Sequence, residues 1–134
     1  MTNVYMDGTQ GGPPRILLVE DQFLVAFDMV EQLKAEGYLV VGPANSLREA
    51  LSLVETTPID AGLLDVNLGA CSSYPVAEAL IEKGIPFAFL SGHSSGDLKP
   101  DFREHSLITK PVHPNTLRET VLDLVGRVPQ RRLS

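Results

Sequence analysis

The sequence predicts an α/β protein in which one five-stranded parallel sheet carries helices on both faces, a doubly wound arrangement. Short apolar runs alternate along the chain with longer segments whose apolar residues recur every three or four positions. At 134 residues the chain has the size of one domain. Because neighbouring parallel strands need long crossover connections, which helices supply, this alternation favours parallel pairing.

The first half of the chain contains two strand–helix units. Residues 16–19, ILLV, form the first apolar run. The helix predicted after them ends near Gly37, and its apolar residues recur at helical spacing: Phe23, Phe27, Val30 and Leu33. The run YLVVG predicts the second strand. In the helix after it, Ser46 and Glu49 fit a capping box, and one apolar face comprises Leu47, Ala50, Leu51 and Val54.

The second half repeats the unit. Three apolar runs predict the third, fourth and fifth strands: DAGLLD, IPFAFLSG and SLITKP. Pro75 lies near the start of the third helix and Gly84 follows its end. The closing helix, in residues 113–126, presents four apolar residues to the core: Leu117, Val121, Leu124 and Val125.

Residues 93–106 interrupt this regular pattern. Gly96, Pro100 and two serines break any apolar stripe there, so a helix in this segment should be short, shifted or absent. With few apolar anchors, the segment is expected to have low local stability.

Composition narrows the classes of function. The net charge of −6 argues against nonspecific nucleic-acid binding, which depends on lysine and arginine. No apolar run approaches the roughly 18 residues of a membrane helix, and residues 1–14 lack a signal-peptide pattern, so a cytoplasmic protein without a membrane partner is expected. Residues 1–14 and 129–134 are predicted tails around a domain at 15–128. The single cysteine, Cys71, cannot form an internal disulfide.

Polar side chains follow the predicted strands. In an open parallel sheet, ligands bind beyond the carboxyl ends of the strands. The residues there follow the first, third, fourth and fifth strands in turn: Glu20 with Asp21, Asp65, Ser91, and Lys110 with Pro111. Three acids this close disfavour one another's charged forms, so Mg²⁺ is the expected occupant. Each residue alone also fits a solvated loop or a helix cap, but their joint placement favours phosphoryl transfer.

Four motifs resemble those of a known family. EDQ, LLDVNL, LSG and TKP, in this order across residues 15–128, resemble the receiver domain of bacterial two-component response regulators. More narrowly, the stretch PFAFLSGH is similar to the PFxFxTGY motif of a subgroup of single-domain receivers, often paired with histidine kinases of the HWE or related classes. The resemblance implies a flavodoxin-like fold with strand order 2-1-3-4-5.

The resemblance also implies a role for each residue of the strand ends. Asp65 is implied as the phosphoacceptor, Lys110 as the contact to the phosphoryl group, and Ser91 as the hydroxyl of the family. The implied Mg²⁺ ligands are Glu20, Asp21, Asp65 and the backbone carbonyl of Asn67. A carboxylate can attack phosphorus when a cation offsets the repulsion between two anions. The peptide before Pro111 is cis in the family, and the sequence alone leaves its isomer open.

The sequence also departs from the family pattern. Leu107 stands where receivers commonly carry the aromatic residue that reports phosphorylation, His93 follows Ser91 where the subgroup tends to have tyrosine, and Val112 follows Pro111 in place of phenylalanine. The aromatic relay is therefore in doubt. His93 is either an exposed loop imidazole or a modulator of phosphoryl lifetime. Signalling is expected instead through residues 93–106, mobile without a ligand and more ordered on Mg²⁺ binding and phosphorylation.

Three functions remain open on these residues. The first is a stand-alone receiver, since RVPQRRLS after Gly126 is too short for an output module, that is phosphorylated by a histidine kinase or a histidine phosphotransfer protein. It would signal by protein contact or drain phosphate. The second is a metal-dependent phosphatase, which in the haloacid-dehalogenase pattern needs an aspartate where Asn67 stands. The third is a pseudo-receiver that is not phosphorylated.

Overall fold

The computed structural model describes residues 12–92 and 98–126. The main-sheet strands are β1 (Arg15–Val19), β2 (Leu39–Ala44), β3 (Ala61–Asp65), β4 (Phe87–Ser91) and β5 (Ser106–Thr109). The helices are α1 (Phe23–Ala35), α2 (Leu47–Thr56), α3 (Tyr74–Glu82) and α4 (Pro114–Gly126). The tails predicted at 1–14 and 129–134 lie outside the described residues, apart from residues 12–14.

The strands form one parallel sheet in the order β2-β1-β3-β4-β5, which confirms the predicted doubly wound, flavodoxin-like arrangement. Pairing runs in register along the centre, with Val19 opposite Leu64 and Leu64 opposite Phe89. The carboxyl ends of β1, β3 and β4 therefore lie at one edge of the sheet, where the site residues begin. None of the helices within the described ranges is long and apolar enough to cross a membrane.

Two apolar cores lie on opposite faces of the sheet because successive side chains of a strand point to opposite sides. One core combines Leu17 and Val19 with residues of α2 and α3, such as Val54 and Leu80. The other combines Ile16 and Leu18 with buried residues of α1 and α4: Ala26, Met29, Leu33, Leu117, Val121 and Leu124. The central strands β3 and β4 are buried along their whole length, as their near-continuous apolar sequences predict.

Helix α1 forms where the helical spacing predicts it, and the stripe that begins at Phe23 is not the stripe that faces the core. Phe23 and Phe27 are 78% and 58% exposed. The buried stripe is Ala26, Met29 and Leu33. Periodicity alone allowed either stripe, since the two overlap at Leu33, and the point at which the chain enters the helix after β1 selects between them.

The helix ends follow the predicted signals closely. The Ser46 hydroxyl accepts a hydrogen bond from the Glu49 backbone N–H at 3.1 Å, and the Glu49 carboxylate accepts one from the backbone N–H of Asn45. The return arm of the capping box therefore reaches one residue further back than predicted. Gly37 and Gly84, after α1 and α3, have φ values of 91° and 72°, a region that favours glycine.

Residues 98–105 contain only a 3₁₀ turn, Pro100–Phe102, in place of a helix. The few apolar residues in this part of the segment are nevertheless buried. Leu98 and Phe102 are 2% and 5% exposed, and the Phe102 ring stacks on Tyr74 with 4.8 Å between centroids. The backbone N–H of Lys99 donates a hydrogen bond to the Tyr74 hydroxyl at 3.0 Å. The first residues of the predicted loose segment, 93–97, lie outside the described part of the chain.

Candidate functional site

Three carboxylates meet at the carboxyl ends of β1 and β3. Glu20 directly follows β1, Asp21 comes next, and Asp65 is the last residue of β3. One carboxylate oxygen from each lies within 4.8 Å of the other two. Glu20 and Asp65 are 1% and 7% exposed, whereas Asp21 is exposed to solvent. The structure thus brings together the three acids that the sequence predicted.

The Lys110 ammonium joins this cluster from the loop after β5. Its Nζ lies 2.8 Å from Glu20 Oε1 and 3.0 Å from Asp65 Oδ2. The backbone N–H of Lys110 donates to the Ser91 carbonyl at 2.8 Å, which extends the β4–β5 pairing to the site. The peptide between Lys110 and Pro111 is cis, as the resemblance implies.

Burial and ion pairing shift the pKa values of Glu20 and Lys110 in opposite directions. Burial raises the pKa of Glu20, while the Lys110 ammonium and the backbone N–H of Gln22 oppose that effect. For Lys110, burial lowers the pKa, but the contacts with Glu20 and Asp65 outweigh it, so the pKa is raised overall. The lysine therefore stays charged. The Glu20 carboxylate is poorly solvated, and a bound cation would stabilise its charged form.

The donor set fits a hard divalent cation. One ammonium faces three carboxylates, so the described cluster retains negative charge, and Mg²⁺ prefers oxygen donors with water completing its shell. Glu20, Asp21 and Asp65 are the side chains that would hold it. The role of the Asn67 carbonyl stays a prediction; what the structure gives for this residue is an N–H donated to Asp65 Oδ1 at 3.2 Å.

A short antiparallel hairpin that the sequence analysis missed follows Asp65. Its two-residue strands are Asn67–Leu68 and Cys71–Ser72. Gly69, at its tip, has φ 62°, and a Cβ built there would lie 4.0 Å from Asp21 Oδ2. The hairpin therefore lies alongside the acidic cluster.

The other predicted residues that the structure describes differ in depth and in surroundings. Ser91, 3% exposed, ends β4 beside Asp65, since Asp65 pairs with the preceding residue of β4. Leu107 is half-buried on β5, opposite Phe89, and packs against the core on the α2 and α3 side. Val112 packs against the other core. His93 lies outside the described residues, so its two interpretations stay open.

Gln22 is a site residue that the sequence analysis quoted within EDQ but gave no role. Its backbone N–H donates to Glu20 Oε2 at 3.0 Å, and its side-chain carbonyl accepts from Lys110 Nζ at 3.1 Å. The available signal was its position directly after the two acids at a strand end.

We expect Asp21→Asn to weaken Mg²⁺ binding by about tenfold or more, because it removes one of three charged donors. The unfolding free energy without Mg²⁺ should stay within about 0.5 kcal/mol or rise slightly, since Asp21 is exposed and its removal relieves crowding of acids. Titration calorimetry and thermal melts measure both quantities. Glu31→Gln removes the same charge from an exposed position of α1 and serves as the control. Unchanged Mg²⁺ affinity in Asp21→Asn would exclude Asp21 from the site.

Comparison with known proteins gives one consistent result. The family model described as the response regulator receiver domain matches residues 16–122. The transcriptional regulatory protein PdtaR of Mycobacterium tuberculosis is 30% identical over 122 residues, which cover 90% of this chain and 60% of PdtaR. The chain therefore spans about three fifths of that relative's length.

Solved structures agree with the family match. The solution structure of SdrG from Sphingomonas melonis Fr1 superposes with a TM-score of 0.77 at 34% identity, covering 87% of this chain and 99% of SdrG. A second solution structure, the BeF₃-activated conformation of SdrG from Pseudomonas melonis Fr1, gives a TM-score of 0.72 at 37% identity, covering 83% and 95% of the two chains.

Proposed function

The chain belongs to the response regulator receiver domain family, and on that basis we propose that Asp65 accepts a phosphoryl group from a phosphohistidine in a Mg²⁺-dependent reaction. The observation that carries the proposal is the position of the Asp65 carboxylate, 3.0 Å from an ammonium and within a cluster of three acids at the strand ends. This combination supplies an anionic nucleophile together with the positive charge that a phosphoryl group needs.

In the proposed reaction, a carboxylate oxygen of Asp65 attacks phosphorus as the P–N bond of the donor breaks. The electron pair of that bond stays on the imidazole nitrogen, and an aspartyl phosphate forms. Lys110, already beside Asp65, contacts the transferred oxygens as a compact point charge. Ser91, at the end of the adjacent strand, offers a hydroxyl donor to the same group. Mg²⁺, held by the three acids, would offset the charge between the two anions.

The direct test is labelling with a small donor. The protein is incubated with phosphoramidate in Mg²⁺ or in EDTA, and its intact mass and phosphorylated peptide are determined. We expect one phosphoryl group, on the peptide that contains Asp65, only with Mg²⁺. Labelling elsewhere, or equal labelling in EDTA, would contradict the proposal, and absence of labelling would favour the pseudo-receiver. A phosphatase is disfavoured because Asn67 lacks the carboxyl that it requires.

We extend the proposal to a stand-alone role, in which the receiver signals through protein contacts or drains phosphate from a kinase or a histidine phosphotransfer protein. The support is similarity over 99% of the SdrG chain. The HWE or related kinase class depends on the resemblance of PFAFLSGH alone and stays a prediction.

The exposed face at the start of α1 is suited to dock the phosphohistidine donor. Phe23 and Leu24 are 78% and 77% exposed, and the ring of Phe23 stacks on Phe27. Leu24 also lines a groove of about 230 Å³ that reaches Lys110 and Pro111. Because exposed apolar side chains are costly to leave in water and these border the acceptor site, a helix that carries the donor histidine is the occupant we propose.

We expect Leu24→Ser to slow phosphotransfer from the cognate kinase about tenfold, the effect of losing about 1.4 kcal/mol of docking energy. Labelling by phosphoramidate should stay at the wild-type rate, since that donor needs no docking surface. The kinase is first identified by a transfer profile against the histidine kinases of the source organism.

Leu122→Ser is the matched control, a 57% exposed leucine on α4. Equal transfer rates in the two leucine variants would place the docking surface elsewhere.

A further inference from the structure

Gln22 contacts two members of the acidic cluster at once. Its backbone N–H is held by Glu20, and its side-chain carbonyl accepts from Lys110 across 88 positions of sequence. The residue is exposed, unlike Glu20 and Asp65. The Gln22–Lys110 contact is therefore open to solvent, whereas the Lys110–Asp65 contact is partly buried.

Three oxygens surround the Lys110 ammonium, two as hydrogen-bond acceptors and one as an ion-pair partner. Nζ donates to Asp65 Oδ2 at 3.0 Å and to Gln22 Oε1 at 3.1 Å. Within the described residues, Glu20 Oε1 lies 2.8 Å from the same nitrogen as an ion-pair partner. A phosphoryl oxygen that approaches Nζ from the side of one of these oxygens takes the place of that contact.

The contact with Gln22 is the one whose loss costs Lys110 the least free energy. Glu20 and Asp65 are carboxylates, and interactions between two ionised groups are stronger than those with a neutral amide. Both acids are also buried, so water does not readily replace the ammonium, whereas the exposed Gln22 amide can exchange Lys110 for water. The hydrogen bond between Lys110 and the neutral amide of Gln22 is therefore the first to break.

We propose that Gln22 is a positioning residue that holds the Lys110 ammonium before phosphorylation and releases it to the incoming phosphoryl group. This inference rests on the proposed phosphorylation of Asp65. It makes the rate of phosphorylation depend on how strongly residue 22 binds Lys110, although residue 22 is not one of the three acids that would hold the metal.

Three variants separate this role from a structural one. Gln22→Met keeps the length of the side chain and removes the carbonyl, Gln22→Asn keeps the amide but shortens its reach, and Gln22→Glu provides a stronger acceptor. The probe is beryllofluoride, a mimic of the phosphoryl group, titrated at saturating Mg²⁺. We expect about threefold or tighter binding in the Met and Asn variants and weaker binding, by a similar factor, in the Glu variant. Phosphoramidate labelling rates should change in the same directions.

The ¹H–¹⁵N signal of the Lys110 ammonium reports the contact directly. It should shift on Gln22→Met, and adding beryllofluoride should produce less further change in that variant than in the wild type. Gln32→Met changes a partly exposed glutamine near the other end of α1 and should leave the signal and the beryllofluoride affinity unchanged. This inference alone is overturned if the wild type binds beryllofluoride normally and the three Gln22 variants either all change that affinity in the same direction or leave it unchanged. A wild type that binds no beryllofluoride and takes no phosphate overturns the proposed function and this inference together.

Discussion

Asp65→Asn protein is expected to accept a phosphoryl group at least roughly 10³-fold more slowly than the wild type, as for loss of a nucleophile. An amide oxygen is a poor nucleophile, and the remaining acids differ from Asp65 in position. Glu20 is 1% exposed and paired with Lys110, and Asp21 lies in the exposed loop after β1. The fold should persist, because Asn is nearly the same size and Lys110 keeps its contact with Glu20.

The measurement is intact mass after incubation with phosphoramidate and Mg²⁺, with circular dichroism to check folding. Asp101→Asn, on the exposed 3₁₀ turn, is the matched control and should label normally. Mg²⁺-dependent labelling of Asp65→Asn at the normal rate would remove Asp65 from the role of acceptor.

Lys110→Met is expected to lower the unfolding free energy in the absence of Mg²⁺ by about 3 kcal/mol, because a buried acid then loses its counter-ion. Glu20 is 1% exposed, and Asp65 lies beside it, so the variant leaves two buried carboxylates without their ammonium. A divalent cation that binds the native state stabilises it. Mg²⁺ should therefore raise the stability of the variant by more than that of the wild type, where Lys110 already neutralises part of the charge.

Urea unfolding in Mg²⁺ and in EDTA measures both effects. Lys34→Met removes an exposed lysine from the last turn of α1, so we expect a change within about 1 kcal/mol, independent of Mg²⁺. Equal Mg²⁺ increments in Lys110→Met and wild type would show that the ammonium and the cation do not compensate the same carboxylates.

The site could be predicted from sequence because its members sit at strand ends. Once parallel pairing is inferred, Glu20, Asp65 and Lys110 must come to one edge of the sheet, whatever the helices do. The strand order 2-1-3-4-5 needed the family resemblance, since alternation of strands and helices is compatible with other orders. Gln22 could not be assigned a role in this way, because its contact with Lys110 depends on the reach and rotamer of a side chain.

The remaining differences between prediction and structure arise where contacts between several helices, strands and loops determine which side chains are buried. The stripe of α1 that faces the core depends on how the chain turns after β1, so periodicity could not place Phe23 and Phe27. In residues 98–105 the only apolar side chains of the core type are Leu98 and Phe102, and one pair four positions apart is too short a repeat to establish a pattern. Their burial depends on the ring of Tyr74, which is distant in sequence.

The stacking of Tyr74 on Phe102 gives the protein a built-in optical probe. The chain has no tryptophan and three tyrosines, and its five phenylalanines emit only weakly, so tyrosine dominates its near-ultraviolet emission. Tyr74 combines a stacked ring, a hydroxyl that accepts from the backbone of Lys99, and the Lys99 ammonium 4.9 Å from its ring centroid. Since ring environment and hydrogen bonding both alter tyrosine emission, the fluorescence of unlabelled protein reports the packing of residues 98–105 in real time. Tyr74→Phe identifies the share of the signal that this residue contributes.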